Sequence, residues 1–146
     1  MATFDQHTKI DVPVDKVWTI LTNPATWEQW FPDVDHVTDL GAVVADATCQ
    51  WQHGSENGSG TIVAVDHDRG LLKVIISRGG HQVNHTFDLD RAGGLLGLGG
   101  KDTRLTYQME YHAPGGFVGE FISGGNPADS LKVKHTLEKI KNLAES

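Results

Sequence analysis

Two stretches of the chain alternate residue by residue. From 81 to 91 the odd positions are His81, Val83, His85, Phe87, Leu89 and Arg91, and every even position is polar. From 104 to 112, Leu105, Tyr107, Met109 and Tyr111 alternate with Arg104, Thr106, Gln108, Glu110 and His112. Side chains of a strand point to opposite faces in turn, so both stretches predict antiparallel strands with one wet and one buried face. An earlier strand is predicted from about Thr3 to Val12, ending at Pro13. Val14, Val17, Trp18 and Leu21 then recur at helical spacing. Asn23-Pro24 restarts the chain, with Asn as a cap and Pro at a first helical position, so a second short helix is expected from Pro24 to Trp30, stopped by Pro32.

Turn clusters at 54–60 (GSENGSG), 66–70 (DHDRG) and 78–80 (RGG) divide the segment from Asp35 to His112 into strands. Facing is open before residue 70, because Thr61–Val65 is apolar on both faces and one bulge would invert it. Near the C-terminus Phe117, Phe121 and Ile122 precede a Gly124-Gly125-Asn126-Pro127 break. A helix is expected from Pro127 to Glu145, with Leu131, Val133, Leu137, Ile140, Leu143 and Ala144 as its apolar positions. The element order is one strand, two short helices, about six antiparallel strands and one long helix. That is an α+β design, with a curved antiparallel sheet of about seven strands wrapped around the terminal helix. One helix does not fill such a sheet, so a cavity between them is expected.

At 146 residues the chain predicts a single domain spanning 1–146. The formal charge of −7 and the absence of a Lys/Arg cluster argue against nucleic-acid binding and against adhesion to anionic membranes. No stretch approaches the length of an apolar membrane span, so no integral membrane association is expected. The N-terminus MATFDQHTKI has no apolar signal-peptide core, which predicts a cytoplasmic protein. A single cysteine, Cys49, excludes an internal disulfide and a thiolate metal cluster. Eight histidines raise the question of a metal, but His81 and His85 on one strand are about 13 Å apart and there is no H-E-x-x-H; neither metal nor cofactor is expected.

The segment Ile10–Val37 places Pro13, Val17-Trp18, Leu21, Asn23-Pro24, Trp27, Trp30 and Pro32 in one run, and the chain ends in LEKIKNLAES. Both features, and the element order, resemble the START/Bet v 1-like (SRPBCC) superfamily, which is grouped with polyketide cyclases and dehydrases. The resemblance covers essentially the whole chain and implies a helix-grip fold. It says little about activity, because the superfamily includes lipid and hormone binders, quinone-binding proteins, aromatic polyketide cyclases and co-chaperone domains.

The residues facing that cavity are the site candidates. Trp51, Val74, Val83, His85, Phe87, Tyr107, Met109, Tyr111, Phe117 and Phe121 are expected to line it, with Trp30, Phe31 and Leu96 at its mouth. Each also fits a reading as core filler. His85 and Tyr107 are the candidates for acid–base or orienting roles. No nucleophile motif is present: Ser77 and Cys49 lack a G-x-S-x-G context. The loop 92–101 (AGGLLGLGGK) has Leu95 and Asp102 where a phosphate loop needs Gly and Ser or Thr. Its leucines Leu95, Leu96 and Leu98 fit three readings: a loop folded onto its own protein, a gate over the cavity, or a dimer or membrane-touching tip. Three functions follow as alternatives: binding a small hydrophobic ligand (lipid, isoprenoid or polyketide-like aromatic), a cyclase, aromatase or dehydrase using His85 and Tyr107, or an interaction module using the 92–101 loop. A monomer or weak homodimer is expected.

Overall fold

A computed structural model describes residues 2–92, 102–111 and 128–146. Most of the 92–101 loop with its three leucines lies outside the described residues, as do Phe117, Phe121, Ile122 and the Gly124–Pro127 break.

Strand β1 (Ala2–Ile10) leads into α1 (Val14–Leu21), a 3₁₀ turn (Pro24–Thr26) and α2 (Trp27–Trp30). Six strands follow: β2 (His36–Thr38), β3 (Thr48–His53), β4 (Glu56–Asp66), β5 (Leu71–Arg78), β6 (His81–Ala92) and β7 (Asp102–Tyr111). The last element is α3 (Ala128–Glu145). All seven strands form one sheet in the order β1-β7-β6-β5-β4-β3-β2, and every pairing is antiparallel. This is the helix-grip α+β fold expected from the element order.

β1 stops at Ile10 rather than Val12, because the Asp11 amide donates to the Glu145 carboxylate at the end of α3 instead of to a neighbouring strand. The two short helices are held by side-chain bonds that the sequence supplies locally. The Asn23 carboxamide oxygen accepts from the Ala25 amide at 3.1 Å, with Pro24 in the first turn. Trp27 Nε1 donates to the Leu21 carbonyl at 2.8 Å, and Trp30 Nε1 to Thr26 Oγ1 at 3.0 Å. The indole rings therefore bury both their area and their one donor. Trp27, Trp30 and Phe31 pack ring on ring, and Trp30 meets Phe87 of the sheet edge-on. Burying a side chain of this size stabilises the fold by about 1.5–3 kcal/mol.

The doubtful register of β4 resolves as a bulge between Ile62 and Ala64. Ile62 is buried and Val63 turns outward, so both halves of an apolar run can serve the sheet. On β3, Cys49 and Trp51 face inward. Helix α3 lays a stripe of Asp129, Val133, Thr136, Leu137, Ile140 and Ala144 on the sheet. Leu131 lies off that stripe, 57% exposed. Gln6 on β1 donates to the Ser130 carbonyl, and Lys141 Nζ to the Lys9 carbonyl, fixing both ends of the helix against β1.

Candidate functional site

Helix α3, the hydrophobic face of the sheet and the segment after α2 line a half-open cavity of about 380 Å³. Its wall is built by alternation. Val83 and His85 on β6 pair with Tyr111 and Met109 on β7, so all four side chains share one face, and Ile76 joins them opposite Val83 on β5. The β5–β6 hairpin adds Arg78, Gly79 and His81; Pro32 and Asp33 come from the segment after α2, and Asp129 and Lys132 from α3.

The charged groups gather at one end. Lys132 Nζ donates to Asp33 Oδ2 and lies 3.2 Å from Asp129 Oδ1, and the Tyr111 hydroxyl donates to Asp129 Oδ2. Burial alone would lower the Lys132 pKa, but the hydrogen bond and charge of Asp33, with the charge of Asp129, outweigh it and raise it. Lys132 is therefore a fixed ammonium and not a neutral amine ready to attack a carbonyl. Asp33 adopts a left-handed backbone (φ 57°), which Asp tolerates better than most residues. That conformation is held from two sides, by Lys132 on its carboxylate and by Arg78 Nη2 on its carbonyl at 2.8 Å. Arg78 in turn pairs with Glu56 at 2.7 Å and stacks 4.1 Å over the Trp51 ring.

At the floor His85 and Tyr107 share a 2.6 Å hydrogen bond between Nδ1 and the phenolic oxygen. Both are buried, their rings stacked, with Phe31 edge-on to His85. Burial lowers the His85 pKa to about 3, with smaller contributions from Lys132 and Arg78 that Asp33 partly opposes. Burial raises the Tyr107 phenol well above its usual value, and Asp33 and Asp129 add to that. The pair is neutral at any physiological pH. Among the described residues no group of three or more His, Cys, Asp or Glu is placed to hold a metal ion, and no helix is long and apolar enough to cross a membrane.

The family model described as polyketide cyclase / dehydrase and lipid transport matches residues 1–145. The chain belongs to this family. Among solved structures, the family member resembles DynU16, a protein of the dynemicin biosynthetic locus, with a TM-score of 0.71 at 19% identity over 100% of this chain and 48% of that one. This chain thus spans about half the length of DynU16. Norcoclaurine synthase from Thalictrum flavum, in complex with dopamine and hydroxybenzaldehyde, gives a TM-score of 0.67 at 15% identity over 97% of this chain and 84% of that one. The Aha1 dimer from Colwellia psychrerythraea gives 0.69 at 13% over 99% and 97%. At these identities the likeness is one of fold. No curated protein matches the chain.

The cavity of this family member brings together four of the residues singled out from the sequence: Val83, His85, Met109 and Tyr111. Tyr107 and Phe87 lie just beneath, stacked on each other at 4.5 Å. Trp51 and Val74 are buried in the core, Trp51 with Arg78 of the cavity wall stacked on its ring. Trp30 and Phe31, expected at the mouth, are enclosed under the floor against Phe87 and His85. Phe117, Phe121 and Leu96 lie outside the described residues. The charged end, Asp33, Arg78, Asp129 and Lys132, was not anticipated. One signal was available: Asp129 sits four residues before Val133 on the apolar stripe of α3, and a carboxylate there needs a partner.

Proposed function

We propose that the chain binds a small hydrophobic molecule, of lipid, isoprenoid or aromatic polyketide type, in the cavity between the sheet and α3. The observation that carries this reading is the asymmetry of the cavity: a wall of Ile76, Val83 and Met109 faces a polar end where Lys132 bridges Asp33 and Asp129. A mostly apolar cavity with a few convergent polar groups suits a ligand with a greasy body and a polar group that sets its orientation. Both carboxylates there are engaged by Lys132 or Tyr111 and both cations by Asp33, Asp129 or Glu56, so this end suits a neutral polar group such as a hydroxyl better than a fatty-acid carboxylate. The test is native mass spectrometry of freshly purified protein, followed by organic extraction. A stoichiometric apolar adduct supports the reading. A clean apo mass, together with no binding of naphthalene-type probes, overturns it.

A second reading, a cyclase, aromatase or dehydrase, is favoured by one observation: His85, Tyr111, Asp129 and Lys132 all line the same cavity. Holding a reactive chain folded beside polar groups is a large part of such catalysis. In this reading His85→Phe abolishes turnover of a polyketide-like substrate while binding persists. Unchanged turnover removes the enzyme role of His85.

A further inference from the structure

Tyr107 is fully buried, and among the described residues its hydroxyl meets only His85 Nδ1. A buried O–H left without an acceptor costs about 1–3 kcal/mol, so the hydroxyl donates and Nδ1 accepts. A neutral imidazole with its lone pair on Nδ1 carries its hydrogen on Nε2. The second proton needed to make imidazolium would displace the Tyr107 hydrogen from Nδ1, and burial of His85 opposes the charge as well. One tautomer is therefore fixed by a neighbour that is itself locked in the core.

Nε2 makes no hydrogen bond among the described residues, and no buried side-chain nitrogen or oxygen there lacks a partner. Nδ1 is turned to Tyr107, which does not line the cavity, so the part of the His85 ring that lines it is the far edge carrying Nε2. Among the described residues, the His85 Nε2–H is thus an N–H donor set beside the apolar Ile76, Val83 and Met109. The carboxylates that line the cavity, Asp33 and Asp129, are already engaged by Lys132 and Tyr111.

We infer that the ligand of this cavity carries a carbonyl group whose oxygen accepts a hydrogen bond from His85 Nε2–H. A carbonyl satisfies the donor without bringing a hydrogen that needs a second partner, as a hydroxyl would, and without burying a charge, as a carboxylate would. The bond strengthens as the carbonyl oxygen gains negative charge, so the same contact serves binding and enolisation alike. His85 is then an electrophilic donor and not a general base. The inference rests on the cavity being the ligand site.

Two experiments test it. In a long-range proton–nitrogen correlation spectrum of the free protein, His85 should show a protonated Nε2 and an unprotonated Nδ1, unchanged between about pH 5 and 8. The opposite tautomer, or titration in that range, overturns the inference whatever binds. Calorimetric titration then compares naphthyl methyl ketone with isopropenylnaphthalene, which has the same shape but no oxygen. The wild type should prefer the ketone by about tenfold, the worth of one net hydrogen bond. In His85→Phe both should bind equally. Equal binding to the wild type refutes the carbonyl assignment while leaving the cavity reading intact, and binding of neither probe refutes the cavity reading itself. If His85→Phe does not fold, Tyr107→Phe, which releases the tautomer but keeps the ring, should shift the His85 spectrum and weaken the ketone preference.

Discussion

Lowering the pH should destabilise this protein through His85 in a way that one substitution removes. In water the imidazole titrates near 6.5, whereas burial in the fold holds it at about 3. Below pH 6.5 the unfolded chain binds a proton at this position that the folded chain refuses. The stability His85 contributes is thus complete above about pH 6.5 and is lost as pH falls toward 3. Between pH 7 and pH 4.5 the loss works out at roughly 2–3 kcal/mol, a large share of the few kcal/mol by which a domain is stable. The assay is urea unfolding followed by tryptophan fluorescence at a series of pH values, for the wild type and for His85→Phe. Asp35, held low by the Gly54 amide and His53, and Glu145, held low by Lys141 and the Asp11 amide, also drain stability toward acid. Both proteins share those groups, so the difference between the two curves isolates His85. His85→Phe also strands the Tyr107 hydroxyl, at a cost of about 1–3 kcal/mol that does not vary with pH. Adding Tyr107→Phe should recover part of that cost and leave the flattened pH profile in place. If the wild type and His85→Phe lose stability in parallel from pH 7 to 4.5, His85 is solvated or charged in the fold and the reasoning is wrong.

Other outcomes follow from the same packing. Gly58→Ala would put a methyl 2.4 Å from the Ser77 carbonyl oxygen and 2.8 Å from the Trp51 ring. It should cost about 1–3 kcal/mol in urea unfolding, whereas Gly41→Ala, with nothing within 4 Å, should be neutral within about 0.5 kcal/mol. Lys132→Met leaves Asp33 and Asp129 facing each other without their cation. With the lysine side chain 33% exposed, the cost falls between surface and buried pairs, about 1–2 kcal/mol, and should show as a lower melting temperature in calorimetry. Cys49 is buried, and that burial raises its thiol pKa, with the Gly60 backbone only partly offsetting it. A thiol reagent should therefore label it no faster than the protein unfolds, and rapid labelling of the native protein would contradict the inward facing of β3.

What could be read from the sequence was what local periodicity determines. The alternation of β6 and β7 placed Val83, His85, Met109 and Tyr111 on one face because strand geometry leaves a strictly alternating segment few other choices, and their register is as regular as the pattern. Asn23-Pro24 and the spaced tryptophans likewise predicted two short helices, because capping and ring burial act within a few residues. The charged end of the cavity was hidden for the opposite reason. Asp33 and Lys132 lie 99 residues apart, and nothing local to either announces the other. The β4 bulge was foreseen only as an ambiguity, since Thr61–Val65 offers apolar side chains to both faces and the pairing with β5 decides between them. Trp30 and Phe31 looked like mouth residues because aromatic side chains suit a rim and a core equally. In the structure Trp30 is fully buried, its ring against Phe87 and its Nε1 bonded to Thr26.

The central claim, that a ligand occupies the space between the sheet and α3, is tested most directly by filling that space. Val83 lines the cavity, and Val83→Trp should occupy it with an indole while β6 keeps its pairing with β5 and β7. Calorimetric titration with naphthyl methyl ketone should give binding to the wild type and none to Val83→Trp, with the circular dichroism of the two proteins the same. Undiminished binding to the folded Val83→Trp protein would place the ligand elsewhere and contradict the account.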